Sequence, residues 1–276
     1  MSTQETKTIT QMVAERPDVD VTDTWQRFWD VLTGVRDRLM DRFELTPHPS
    51  SADYAEYTTG DFEGSLNTYT GDEVEWFVHS WIGNRKKSIL DMNITVWLGP
   101  QIDVPHLAIV LGTVPKYYHY ADLLARRDLA DDPDYLQRYY DPENEHVLSF
   151  WGDERFHWSV SHGTYMRAIL TPAAYSFMTD QTDGIIDEFR RRVDARVDRW
   201  LEAVDDAPPV PAADRPALQE RDHRLRRNCY LLDPMNELAK SFMDPEHVER
   251  MVKLRMGAAQ LLEVGFAEVD AVRGAR

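Results

Sequence analysis

Apolar residues change their spacing several times along the chain, and each change predicts a different element. Residues 1–21 carry no period and are expected to form a mobile arm; residues 22–276 are expected to form one domain. From Thr22 onward, Trp25, Phe28, Trp29, Leu32, Val35, Leu39 and Phe43 recur at helical spacing, with Thr22 and Thr24 as candidate caps. Thr46-Pro47-His48-Pro49-Ser50 closes this helix, because proline lacks the N–H that a helix interior needs.

Over residues 61–112 the period falls toward two, in short runs rich in β-branched and aromatic residues. The pattern predicts antiparallel strands at 62–69, 73–82, 88–98 and 104–111, with turns at Gly71-Asp72, Gly83-Asn84 and Gly99-Pro100. In the third strand, alternation sends Met92, Ile94, Val96 and Leu98 to one face and Asp91, Asn93, Thr95 and Trp97 to the other. The first set is a core face. The second faces a pocket or solvent.

Residues 119–140 read as one or two short helices, the second beginning at Asp132-Pro133, while 156–160 and 165–178 read as extended with a break at Thr171-Pro172. A long helix is expected over 183–203, with Ile186, Phe189, Val193, Val197, Trp200 and Leu201 on one stripe. A proline-rich linker over 206–216 leads to helices at 215–229, 235–242 and 245–269. The order helix, strands, helices predicts an α/β fold in which helices cover an antiparallel sheet and leave room for a ligand between the layers.

Composition narrows the chemistry. The single cysteine, Cys229, excludes a disulfide framework, a thiolate zinc site and an iron–sulfur cluster held by several cysteines. Eight Trp, twelve Tyr and ten Phe are enough to line a pocket for a flat ligand as well as to fill a core. A net charge of −17 argues against nucleic acid or an anionic membrane surface as partner. No apolar run approaches the roughly 18 residues of a membrane span, and residues 1–20 lack a hydrophobic leader core, so a cytoplasmic location is expected. Dinucleotide, P-loop and nucleophile-elbow motifs are absent.

Three segments carry a family resemblance. The first runs from Leu90-Asp91-Met92 to Asp103-Val104-Pro105-His106-Leu107. The second is Asp122-Leu123-Leu124-Ala125-Arg126-Arg127-Asp128-Leu129, continuing to Asp134-Tyr135-Leu136-Gln137-Arg138-Tyr139-Tyr140. The third extends from Arg221-Asp222-His223 through Leu232-Asp233 to Leu238 and Phe242. Together they resemble the red chlorophyll catabolite reductase branch of the ferredoxin-dependent bilin reductases. That resemblance implies a three-layer α/β/α sandwich with a central antiparallel sheet, and an open-chain tetrapyrrole held between the sheet and the C-terminal helices. It also implies two-electron reduction, with single electrons from ferredoxin, protons from pocket acids and no tightly bound cofactor. The family's acids lie on the strand after the Asp-x-Pro element and at the start of a C-terminal helix. Asp233 matches the second position, but the first falls on Val110, which cannot transfer a proton.

The residues themselves supply candidates, each with a plainer alternative. Asp103 can orient the His106 imidazole for proton transfer, or can cap the Gly-Pro turn beside a half-buried histidine. Asp91 and Asn93 suit the N–H and carbonyl groups of a heteroaromatic ligand, or a solvated sheet face. His79, between aromatics, can stack on a flat substrate or belong to an aromatic core, and Trp97 shares the strand face of Asp91 and Asn93 as a substrate-binding candidate. Asp233 before Pro234 is explained by helix capping alone, so its catalytic role comes from the resemblance. His79, His106, His119, His157 and His162 are numerous enough for iron, without diagnostic spacing. Arg85-Lys86-Lys87 or the arginines over 221–227 offer a basic patch to an acidic ferredoxin.

The leading expectation is an oxidoreductase that reduces a flat conjugated substrate, with Asp103, His106 and Asp233 managing protons and His79, Asp91, Asn93 and Trp97 binding. Two alternatives share the fold: an oxygen-using enzyme, cofactor-free or with iron, and a non-catalytic tetrapyrrole binder. Oligomeric state is left open by the pattern.

Overall fold

The computed structural model describes residues 18–114, 116–159, 161, 163–266 and 269. Most of the expected N-terminal arm, and His162, lie outside them. Helix α1 (Thr22–Phe43) occupies its expected span. Its N-cap residue is Val21, with no side-chain cap from Thr22 or Thr24; just before it, Asp20 Oδ1 accepts the Thr22 N–H at 2.9 Å. A short β1 (Thr46–Pro47), a 3-10 turn (Pro49–Tyr54) and β2 (Tyr57–Thr59) lead into the long strands β3 (Phe62–Thr70), β4 (Val74–Asn84), β5 (Ile89–Leu98) and β6 (His106–Val114). These four match the predicted strands, although β4 runs through Gly83-Asn84 and the turn falls on the residues that follow, where Ser88 takes φ 54°.

The expectation of helix over residues 119–124 is overturned. β7 (Lys116–Leu124) pairs along its length with β6, from Val114↔Lys116 to His106↔Leu124. Tyr117, His119, Ala121 and Leu123 face one layer and Tyr118, Tyr120, Asp122 and Leu124 the other, a period of two hidden by polar aromatics. After α2 (Pro133–Tyr139) comes α3 (Asp141–Trp151), missed in the sequence although Pro142 and the acids Asp141 and Glu143 mark its first turn. Among the described residues of the next region only β8 (His157–Trp158) and β9 (Tyr175–Thr179) are extended, and the short helix α4 (Thr164–Ala168) replaces the first part of the expected run.

All pairings are antiparallel, in the order β1-β3-β4-β5-β6-β7-β9-β8, with β2 on β3. One face of this sheet packs on α1 and on α5 (Ile185–Asp205). There Phe28, Leu32, Val35, Phe189, Val193 and Trp200 join Met92, Ile94, Val96 and Leu98 in the main core. The other face carries α6 (Arg215–Leu231), α7 (Met235–Lys240), α8 (Pro245–Met256) and α9 (Ala258–Glu263). The expected α/β/α sandwich is therefore the observed architecture. The last expected helix is broken at Gly257, whose φ of +70° favours glycine; a Cβ there would lie 2.7 Å from the Trp76 ring.

Candidate active site

Between the sheet and the C-terminal helices, contact is apolar only at two ends. At one, Phe62, Leu66 and Ile89 pack with Met243, Val248 and Met251. At the other, Trp76, Val78, Trp97 and Leu124 pack with Leu225, Cys229 and Tyr230. The stretch between them is polar. Asp91 and Asn93 rise from β5 and Tyr118 from β7, while Asp233 stands at the α6–α7 junction, Arg255 at the end of α8 and Tyr57 on β2. Asp91, Tyr118, Asp233 and Arg255 are each only half-buried, so this stretch is a recess with access to solvent.

The electrostatics of the recess favour protonated acids. Burial raises the Asp91 carboxyl above its ordinary value, against the opposing pull of Arg255 and a hydrogen bond from Asn93. Asp233 is likewise raised by burial, opposed by the Met235 N–H at 2.9 Å and by Arg255, while the charge of Asp91 pushes it further up. Two carboxyls from opposite walls thus disfavour each other's ionisation. Burial holds the Tyr118 phenol up at about 12, which keeps it a hydrogen-bond donor. Asn93 is 2% exposed, and its Oδ1 has no hydrogen-bond partner. A buried acceptor left unmade is costly, so it is available to a ligand N–H.

Val110, where the resemblance leads one to expect an acid, pairs directly with Asn93 on the same sheet face. Asp91, two residues along β5, supplies a carboxylate on that face from the neighbouring strand. Trp97 closes the far end of the same face, tilted on His106 with ring centroids 4.9 Å apart. The sequence pattern offered no signal for Arg255, whose place depends on the helical layer; Tyr118 was hidden with the rest of β7.

Two expected partnerships are corrected. Asp103 does not orient His106: its Oδ2 accepts from Arg127 Nε at 2.6 Å. His106 is completely buried and receives the Leu98 N–H on Nδ1 at 3.0 Å, which leaves its proton on Nε2, 3.2 Å from Asp222 Oδ1. Asp222 Oδ2 in turn accepts from Arg126 Nε at 3.0 Å. His79 does not share the recess, because it pairs with Ile94 and points to the opposite face. There it is fully buried and stacks on Trp29 at 4.1 Å.

Among the described residues the histidines do not converge for iron. His119, against Tyr175 and Phe189, lies in the main core with His79, whereas His106 is on the other face. Among the described residues no three His, Cys, Asp or Glu side chains could hold a metal ion. The hairpin cations are also committed: Arg85 pairs with Glu63, Lys86 with Asp20 and Lys87 with Asp61. Among the described residues no helix is long and apolar enough to cross a membrane.

Comparison with known proteins agrees with this architecture. The family described as red chlorophyll catabolite reductase (RCC reductase) matches residues 26–255. The chloroplastic red chlorophyll catabolite reductase of Arabidopsis thaliana is 24% identical over 218 residues, spanning 72% of this chain and 68% of that protein. Phytochromobilin synthase from tomato, solved in complex with biliverdin, shares the fold with a TM-score of 0.72 at 14% identity, over 86% of this chain and 84% of that one. The chain belongs to the red chlorophyll catabolite reductase family, a family of oxidoreductases.

Proposed function

We propose that this chain is a ferredoxin-dependent reductase of a linear tetrapyrrole or a comparably flat, conjugated substrate, bound in the recess between β5–β7 and helices α6–α8. The observation that carries the proposal is the facing pair Asp91 and Asp233, two carboxyls on opposite walls that burial keeps above their ordinary values. Reduction adds two electrons and two protons to the substrate. Electrons arrive singly from the donor, which is oxidised twice, and one proton leaves each acid before solvent restores it. General acid catalysis is worth about 10²–10⁴ in rate when the proton is correctly placed.

Asn93 and Tyr118 then orient the polar edge of the substrate, the first through its unpaired Oδ1 and the second through its hydroxyl. Trp97 and Tyr230 provide apolar surface at the end of the recess. An acidic ferredoxin meets a chain of like sign and needs a local basic patch. With the hairpin cations paired, and Arg224 paired with Glu220 one turn earlier, exposed Arg221 on α6 is the better choice.

The test is an absorbance titration with biliverdin and with red chlorophyll catabolite, with and without reduced ferredoxin. A spectral shift on mixing, and bleaching only with the donor, is expected. Asp91→Asn and Asp233→Asn should keep the shift and slow bleaching by about 10²–10⁴. No perturbation of either pigment, or full turnover in both variants, overturns the proposal.

A further inference from the structure

Arg255 stands among the groups just described, yet it is paired with none of them. It is half-buried in the last turn of α8, its Nε has no hydrogen-bond partner, and its guanidinium makes no ion pair with any described residue. Its backbone is fixed: Trp76 Nε1–H donates to the Arg255 carbonyl at 2.9 Å, and Gly257 lies against the same indole. Around the guanidinium stand Asp91 from β5, Asp233 from the α6–α7 junction, Tyr57 from β2 and Tyr230 from α6, whose ring centroid is 5.7 Å from the guanidinium carbon. A cation serving only to neutralise these acids would close a salt bridge on one of them. This one acts on both and bonds to neither.

The substrate atoms that come within reach of both acids are those that receive protons, and those atoms first become negative. We propose that Arg255 is a catalytic residue that stabilises the negative charge the conjugated substrate acquires with each electron, at the point where Asp91 and Asp233 deliver protons. This rests on the reductase reading above. The first electron converts the substrate to a radical anion facing Arg255, and one acid protonates it to the neutral radical. The second electron, again from the one-electron donor, restores the anion, and the other acid completes the reduced product. A fixed charge aimed at developing charge needs no reorganisation at the moment of reaction, which is where such groups gain their effect.

The experiment compares wild type, Arg255→Gln and Arg255→Lys for pigment binding, single-turnover bleaching with reduced ferredoxin and the pH dependence of that rate. Arg255→Gln should bind pigment as the wild type does and bleach it about 10²–10³ more slowly, with Arg255→Lys recovering part of the loss. Because Arg255 lowers both carboxyls, its removal should also move the alkaline limb of the rate to higher pH, a change that a merely structural role would not produce. Titration with biliverdin and its dimethyl ester supplies the competing outcome. If Arg255→Gln weakens binding of the free acid alone and leaves the bleaching rate intact, Arg255 is a carboxylate anchor and the proposal is wrong. An unchanged rate in Arg255→Gln removes Arg255 while leaving the reductase reading in place; a wild type that reduces no pigment removes both.

Discussion

Asp222 Oδ1 lies 3.2 Å from His106 Nε2, while the other oxygen of the same carboxylate accepts from Arg126 Nε at 3.0 Å. All three side chains are buried, and they join the start of β6, the segment after β7 and helix α6. The cluster therefore sets the distance between the sheet and the helix that carries Cys229 and Tyr230 into the recess. Burial lowers His106 more than the Asp222 charge raises it, so the imidazole is neutral at pH 7 and serves as a fixed strut.

Removing Asp222 should cost stability before it costs chemistry. Asp222→Asn leaves Arg126 buried without a counter-charge, a loss of about 3–5 kcal/mol. Urea denaturation should show it, with residual activity following the folded fraction. An unchanged midpoint with lost turnover would instead place His106 in the reaction. Asp222 lies below its ordinary value even though burial opposes this, because Arg126 and His106 favour its charge, so its stabilisation is lost as pH falls through its folded value. His106, also lowered, adds a loss as pH falls below about 6.5, the ordinary histidine value.

Gly257→Ala should be more damaging than Gly184→Ala, although both sites have positive φ. A non-glycine residue in the left-handed region costs about 1–2 kcal/mol at either position. At Gly184 nothing lies within 4 Å of an added Cβ, whereas at Gly257 it would meet the Trp76 ring at 2.7 Å. Since Trp76 also holds the Arg255 carbonyl, the alanine should shift the indole emission and reduce turnover as well as stability. Equal losses in the two variants would show that the Trp76 contact relaxes freely.

The long strands were legible because β5 alternates cleanly: Met92, Ile94, Val96 and Leu98 are completely buried in the core, and Asp91 faces the recess. β7 was not, because Tyr118, Tyr120 and Asp122 give its second face no simple polar or apolar character. Asp91, Asn93 and Asp233 could be nominated from local pattern or family likeness. Arg255 and Asp222 could not, since each acquires its role from a strand far away in the chain. The same limit produced the Asp103–His106 pairing, where three-residue spacing suggested a contact that Arg127 and Asp222 divide between them.

Turnover should decline on the alkaline side. Both recess carboxyls are raised, and only their protonated forms can donate, so the rate falls as pH rises through their folded values. Ionisation of one raises the other, which should spread the decline over more than one step. Asp91→Asn removes that interaction, so the limb that remains should be a single step displaced to lower pH. A rate flat to pH 9 in the wild type would exclude both carboxyls as donors.

Asp122 offers a titration separable from the chemistry. It is completely buried on β7 and accepts from the Thr171 hydroxyl and from the Leu123 N–H at 2.8 Å, yet burial still raises it to about 6. A carboxyl raised on folding gives a contribution that is full below its unfolded value near 3.8 and is lost as pH rises through about 6. That loss amounts to about 3 kcal/mol. Asp122→Asn cannot ionise, so the stability of the wild type relative to this variant should fall by about 2 kcal/mol between pH 4 and pH 7, part of the loss having occurred by pH 4. Urea midpoints for the two proteins at both pH values measure it, and the variant need not be as stable as the wild type for the comparison to hold. A difference that stays constant would mean that Asp122 is already ionised at pH 4, and that its hydrogen bonds from Thr171 and Leu123 outweigh its burial.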